Sequence, residues 1–576
     1  MTHNPQHTPT RGGHRIVIAA VLCLFGLCLA FSHTPPRGKG KPRPKTDERI
    51  YLVHADELFF EQYGPHPDAQ ILRGKVSFKH KGATLTCDSA YFYEATNSFD
   101  AYGHVNMRQG DTLRLVSDFA HYDGDMQMAY ASRNVVLTHR ATKLYTDSLI
   151  YDRLYEQVFY PDGGKMIDKN NVLESRTGVY FMDNRQAQFN GDVVLVNPKY
   201  RLETSALDYD MAASTAFIVA PTDITSGESV IHTSSGNYNT SRDVSRLYDR
   251  STIVNKHKTI TGDTLFYDKN SGVSEGFGNV VYQDSENKNQ LFCDYFWYNE
   301  QTGQAYATKR ALMVDYSQKD TLYMHADSLK LYTFNINTDS VWRRVHCFNH
   351  VRAYRTDVQA VCDSLVYNTQ DSCMTMYKDP IAWYGPRQLL GEKIEVYMND
   401  STIDWAHVVG QAFSVEKADE EEHYNQVSST EMFAFFDEGA IRRSDAVGSV
   451  RAIYYPVDDK DSSLIVMDYT ETDTLRMFMR DRKMHKIWTN RAEGTWYPLT
   501  QIPPAMKTLA GFAWFDYIRP VDKDDIFVWR GKSSGTELRK VERHSAPLQT
   551  LPPVHNNEAT MPDEPVQAQT STTLSP

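Results

Sequence analysis

The chain has 576 residues, too many for one compact core of ordinary size, and its 41% hydrophobic content is enough to fold. Its formal charge is −12, from 61 basic and 73 acidic residues with no dominant basic stripe, which argues against a nucleic-acid partner. The acidic balance does not favour an anionic ligand either, so a phosphorylated cargo would keep its headgroup in water or meet a local Lys/Arg rim. Aromatics are 12%, with 35 Tyr against 8 Trp, and Tyr suits strands and half-wet surfaces.

The first element in chain order is an apolar run from Ile16 to Phe31, preceded by Arg11, His14 and Arg15 and followed by the small-x-small site Ala30-Phe31-Ser32. This layout reads as a secretory signal peptide over residues 1–32, because the run is short for a spanning helix. The other reading is an uncleaved anchor, favoured by Arg37, Lys39, Lys41, Arg43 and Lys45 in the basic linker 33–49, since positive charge there resists translocation. Either way the body of the protein is expected outside the cytoplasm, in the periplasm or associated with the outer membrane. Cleavage after Ser32 would remove two cations and no acids, taking the charge to −14.

From about residue 50 the chain repeats. Strong copies of one element are Asp88-Ser-Ala-Tyr-Phe92, Asp118-Phe-Ala-His-Tyr122, Asp147-Ser-Leu-Ile-Tyr151, Asp263-Thr-Leu-Phe-Tyr267, Asp294-Tyr-Phe-Trp-Tyr298 and Asp363-Ser-Leu-Val-Tyr367. Weaker copies end at Tyr180, Tyr209 and Tyr238, and others run Asp56 to Phe60, Asp327 to Leu331 and Glu392 to Val396. From Tyr122 to Tyr267 the copies recur in five consecutive steps of 29 residues. A second element follows many copies: Gly74-Lys-Val76, Gly103-His-Val105, Asn134-Val135-Val136, Gly191-Asp-Val193, Gly278-Asn-Val280 and Asn349-His-Val351. Here Gly or Asn is expected to supply a turn and Val to begin or continue a strand. Polar stretches such as Asp123-Gly124-Asp125 and Asp183-Asn184-Arg185 are expected hairpin tips.

One unit is therefore about 29 residues of strand, turn, strand, turn. In Asp-x-Leu-x-Tyr the first, third and fifth residues share a face. The third is apolar throughout (Leu58, Ala90, Ala120, Leu149, Leu207, Leu265, Phe296, Leu329, Leu365, Ile394), and the fifth is usually Tyr or Phe. Stacked units would align these faces into one apolar stripe and make the molecule elongated. No long helical pattern interrupts residues 50–490, which leaves a β solenoid, a sandwich or an open jelly roll. Beyond the repeats, strands are expected between about Ser462 and Thr489, a short helix over Ala505 to Leu509, and a disordered tail rich in Pro, Thr, Gln and Ser from about residue 541.

These elements, with Gly494-Thr-Trp-Tyr-Pro498, Leu509-Ala-Gly-Phe-Ala-Trp514, Arg519-Pro520 and Asp525-Ile-Phe527, resemble the OstA/LptA family, in particular its longer OstA-like members, over about Ile50 to Phe527. The resemblance implies an all-β fold: an elongated stack of the 29-residue units forming an open, V-shaped β-jellyroll over 50–410, then a smaller C-terminal β segment over 411–540. It also implies a non-catalytic role in lipopolysaccharide transport, with acyl chains shielded in an apolar trough. The implied partners are lipopolysaccharide, an inner-membrane export complex, an outer-membrane assembly barrel and, end to end, further copies of the chain. Unlike the short members of the family, this chain holds about twelve copies of the repeat, and unlike the barrel-bearing ones it shows no further run of long amphipathic strands.

The candidate groove residues are the third and fifth positions of the strongest copies: Leu149, Tyr151, Leu207, Tyr209, Leu265, Tyr267, Phe296, Tyr298, Leu365 and Tyr367. Two readings of the Tyr series stay open, as core residues or as groove lining. The recurrent Asp reads as a turn-closing or strand-edge residue rather than a catalytic acid, because a catalytic pair is unique and this one recurs. No catalytic residue, metal site or cofactor is expected. The five cysteines beyond the signal (Cys87, Cys293, Cys347, Cys362, Cys373) form no CxxC pair, and the spaced pair His346 and His350 falls in a predicted strand and turn. A secreted β solenoid that binds or cleaves polysaccharide, or a structural surface protein, is the alternative class.

Overall fold

The computed structural model describes residues 49–532 apart from 400–401, 420–422, 459–462 and 481–482. The expected signal segment, most of the basic linker and the Pro-rich tail lie outside the described residues. What is described is almost wholly antiparallel strand, and its only helices are single 3-10 turns. Consecutive strands pair with one another: Gln70–His80 with Ala83–Tyr93, then Ser98–Gln109, Leu113–Asp123, Met128–His139 and Thr142–Asp152. Such pairing runs unbroken to Glu493–Pro498, so one meandering sheet contains every strand.

This sheet is folded lengthwise. The Gly-x-Val element, expected to be a turn between strands, is instead a bulge inside a strand: Ser98–Gln109 runs through Gly103 and His104, and the pairing skips there. Both residues are left-handed, with φ of +73° and +45°. The same double left-handed step recurs at Gly74-Lys75, Gly191-Asp192, Gly278-Asn279, Gly410-Gln411 and Gly448-Ser449, and also at Arg133-Asn134, Lys309-Arg310 and Asn349-His350, where no glycine marks it. Two such residues in succession bend the strand sharply. Beyond the bend the two halves take different neighbours: in Tyr200–Asp210, the residues Arg201 to Thr204 pair with Thr222 to Thr225, while Leu207 to Asp210 pair with Thr215 to Ile218. In several units the two halves are separate short strands, as in Gln157–Tyr160 and Gly164–Asp168.

The result is two walls meeting at a crease. The residue just after each bulge sits at the bottom, and Val76, Val105, Val135, Val193, Val280, Ala311, Val351, Ala412 and Val450 are all at most 1% exposed. Rings from opposite walls meet above them, as Phe78 and Phe99 do, stacked at 4.3 Å between centroids.

A left-handed non-glycine residue costs about 1–2 kcal/mol, so the bulges need compensation. The recurrent Asp supplies it. Asp88 bonds the Nδ1 of His104 at 2.7 Å, Asn134 donates to Asp118 at 2.6 Å, Asn279 donates to Asp263 at 2.8 Å, and Asp327 bonds His350 at 2.8 Å. The Asp backbone joins in, as the N–H groups of Asp56 and Asp263 donate to the carbonyls of Gly74 and Gly278 at 2.9 and 3.0 Å. Thus the Asp clamps the outside of the crease, where sequence reasoning had it closing a turn or edging a strand. Asp123-Gly124-Asp125 and Asp183-Asn184-Arg185 do lie at hairpin tips.

The last described residues form a strap. The expected strands appear as Val466–Arg480 and Lys483–Asn490, but in place of a helix over Ala505 to Leu509 there is one 3-10 turn, Pro504–Met506, after which the chain is irregular, with two further 3-10 turns at Asp516–Ile518 and Asp525–Phe527. It crosses the outer face of one wall, where Trp383, Phe413, Val415 and Met467 close over Phe515, Ile518 and Leu509. Two buried glutamines pin it by pairing its backbone as a neighbouring strand would. Gln388 donates to the Ala513 carbonyl and accepts from the Phe515 N–H, both at 2.8 Å, while Gln426 donates to Lys507 O at 3.0 Å and accepts from Leu509 N at 2.9 Å. Farther along, buried Arg352 meets Asp525 at 3.3 Å.

The five cysteines among the described residues are buried free thiols, and burial pushes those of Cys87, Cys293 and Cys347 up to about 12, which makes them unreactive. Replacing Gln388 by Ala should leave the buried Phe515 N–H and the half-buried Ala513 carbonyl without their partner and lower the unfolding free energy by about 2 kcal/mol. Urea denaturation measures that loss, and faster proteolytic cutting within 499–532 would show that it begins at the strap.

A trough between the walls as the candidate functional site

Cross-strand neighbours form continuous ladders along the inner faces. On the wall opposite the Tyr series one ladder reads Phe78, Leu85, Met107, Leu115, Leu137, Leu144, Met166, Leu173, Leu195, Leu202, Ile224. It continues through Ile231, Ile253, Ile260, Tyr282, Leu291, Met313, Met324, Ala353, Ala360 and Ala382. On the Tyr wall each aromatic faces a small residue on the next strand: Tyr151, Val158, Tyr180, Ala187, Tyr209, Ala216, Tyr238, Ser245, Tyr267, Ser274, Tyr298, Ala305. The alternation of large and small lets each ring lie over its neighbour and fill the gap between walls.

Burial divides both ladders at the same place. From Phe78 to Ile224 the first ladder is at most 6% exposed, and from Tyr122 to Ala216 the Tyr ladder is at most 3% exposed. From Ile231 and Tyr238 onward the residues nearest the rims become half-buried, with only Met324 and Ser245 buried again up to Ala382 and Ala305. The crease stays dry throughout, as the buried Val280, Ala311 and Val351 show. The walls are thus in contact over the first half of the sheet and parted at the rims over the second.

The rims explain the division. In the closed half, hydroxyls of the Tyr wall meet side chains at hairpin tips of the opposite wall. Tyr122 bonds His80 at 2.8 Å, Tyr151 donates to Gln109 at 3.1 Å, Tyr180 bonds His139 at 2.7 Å, and Tyr209 accepts from Asn171 at 2.7 Å. Lys169 donates to Ser214 at 2.9 Å and Lys199 to Asp243 at 2.5 Å. Arg153, buried without a carboxylate, holds Tyr122, Gln109 and the Lys81 carbonyl at once. Burial pushes the Tyr180 hydroxyl up to about 12 and holds His139 below its ordinary value, so both stay neutral and bonded. Among the described residues no hydrogen bond joins the two rims between Asp243 and Tyr384, where Tyr384 donates to the Gly439 carbonyl at 2.9 Å.

The ten residues singled out from sequence all face inward, on one stripe, but in two environments. Leu149, Tyr151, Leu207 and Tyr209 lie in the closed half, at most 1% exposed. Leu265, Phe296 and Leu365 are buried one level above the crease of the open half, and Tyr267, Tyr298 and Tyr367 stand half-buried above them. The facing wall, with Ile231, Ile253, Ile260, Tyr282, Leu291 and Met313, was missed. Its signal is in the sequence two residues past each bulge Val, as in Val280-x-Tyr282, Val193-x-Leu195 and Val105-x-Met107. Arg343 stands exposed at the mouth and acts electrostatically on Tyr282 of one wall and Tyr298 of the other. His346 is buried on the outside of the Tyr wall between Tyr332 and Phe348, and His350 is engaged with Asp327, so the two do not converge. Among the described residues no group of three or more His, Cys, Asp or Glu is placed to hold a metal ion.

Residues 47–205 and 201–263 match the model of the family described as OstA-like protein. Among solved structures, that of LptH, the LptA homologous periplasmic component of the conserved lipopolysaccharide transport device from Pseudomonas aeruginosa, is 13% identical, covering 21% of this chain and 82% of that one with a TM-score of 0.18. The search of curated proteins finds no match. The family match spans the bulges and clamping Asp residues of the closed half and reaches the first open units, so over residues 47–263 the chain is similar to OstA-like proteins.

Proposed function

We propose that this protein carries the acyl chains of lipopolysaccharide in the open trough, as a non-catalytic periplasmic bridge towards the outer membrane. The observation that carries this reading is the pair of half-buried apolar ladders facing each other above a dry crease. From Ile231 to Ala382 the first ladder crosses ten strands, about 43 Å at the usual strand spacing. An apolar lining of that length offers an extended hydrocarbon chain a place out of water, and each buried methylene contributes about 0.8 kcal/mol. No chemistry is required, only a surface that acyl chains prefer to water.

The family match supports lipopolysaccharide as the cargo. Sugars and phosphates would stay outside the mouth, where Lys258, Lys269 and Arg343 are exposed near the open rims. The partners consistent with a bridge are an inner-membrane export complex at one end and an outer-membrane assembly barrel at the other, with end-to-end self-association of copies.

The chain purified natively from a lipopolysaccharide-making host should carry lipid A species detectable by mass spectrometry. Leu291→Asp combined with Tyr298→Asp should strip them at least tenfold while leaving the circular dichroism spectrum unchanged, and undiminished lipid in that variant would sink the reading. Thermal or urea unfolding separates the two halves as well. Leu207→Ala, in the packed half, should cost about 2–5 kcal/mol, whereas Leu291→Ala in the parted half should cost under about 2 kcal/mol.

A further inference from the structure

We propose that the hydrogen-bonded rims of residues 80–243 form a zipper that gates the trough: at rest, acyl chains occupy only the open segment, and they enter the zipped segment only when its rims part. The inference rests on the acyl-carrier reading and adds a regulated path to it.

Three observations carry it. First, the zipper and the burial of the ladders end together, at Asp243 on the rims and at Ile231 and Tyr238 on the walls. Second, the zipped interior is lined by the same kinds of side chain as the open one, since Leu173, Leu195 and Leu202 continue the ladder that later holds Ile253, Ile260 and Leu291. What differs is the distance between rims, set by contacts at the ends of the Tyr side chains. Third, most of the fastenings are polar groups that water could satisfy if the rims separated: the hydroxyls of Tyr122, Tyr180 and Tyr209, the Asn171 amide, and the Lys199–Asp243 pair, whose lysine is already 57% exposed. A closed core built only to be stable would hide apolar groups there. Arg153 is the strongest single fastening, because one guanidinium joins a turn of the Tyr wall to two tips of the opposite wall. Parting the rims would hinge on the bulges, which are already bent and would leave the ladder hydrogen bonds of each wall intact.

The test uses the full chain in a lipopolysaccharide-making host, with photo-leucine incorporated in place of leucine, a near-isosteric probe that leaves the core packed. After irradiation, lipid adducts are mapped by mass spectrometry. In the native chain they are expected at Leu291 and Leu331 and at least tenfold less at Leu173, Leu195 and Leu202. The triple variant Tyr122→Phe, Tyr180→Phe, Tyr209→Phe keeps every ring and removes three fastenings, and should raise adducts at the zipped leucines at least fivefold. Because that variant is useful only when folded, Arg153→Gln is run beside it, and both are checked by circular dichroism. Equal adducts at Leu195 and Leu291 in the native chain would overturn the gate and leave the carrier reading standing. Unchanged adducts in folded zipper variants would overturn it too, whereas absence of adducts at Leu291 and Leu331 would overturn the carrier reading itself.

Discussion

Everything in this molecule depends on a pair of left-handed residues placed mid-strand. A flat antiparallel meander of this length would bury nothing, since each apolar face would be open to water. Bending every strand at the same height brings the two halves of one face together and converts a sheet into a lined fold. The geometry is strained, so it is repeatedly clamped by an acid on the neighbouring strand, as Asp88 clamps His104 and Asp263 clamps Asn279. The 29-residue period is the distance between successive clamps and bends of the same kind.

Much of this was legible in the sequence because it recurs. The Asp-x-Leu-x-Tyr parity gave one consistently apolar face per strand without saying whether it lines a trough, and Leu149, Leu207 and Leu365 on that face are buried. The bulge itself was misread as a turn, because Gly-x and Asn-x mark both and only the register across the strand tells them apart. Where the bend is made by Lys309-Arg310, neither Gly nor Asn marks it, and the unit is recognised only from its neighbours. The strap was visible as a distinctive segment but not as a cover, because its partners are far away in sequence: Gln388 is 127 residues from Phe515, and Arg352 is 173 from Asp525.

The division into closed and open halves was not legible at all. Leucines of the closed half and leucines of the open half are indistinguishable in sequence, and a Tyr is equally suited to filling a core or to lining a groove. The difference lies in what stands across the gap at the rims. Tyr180 meets His139 there, whereas Tyr298 meets no side chain of the opposite rim by a hydrogen bond. A few polar residues at hairpin tips, scattered and individually ordinary, therefore decide whether an identical lining is core or surface.

The strap also fixes an order of events. Sheet pairing joins residues a few tens apart, so the meander can form unit by unit from its N-terminal end while the chain is still emerging. The outer face bearing Trp383, Phe413 and Met467 stays uncovered until residues 499–532 arrive. A sheet formed without those residues would expose an apolar patch, the kind of surface from which aggregation starts. A chain ending before the strap would leave that face without its cover, which ties the burial of Trp383, Phe413 and Met467 to the last residues of the described chain.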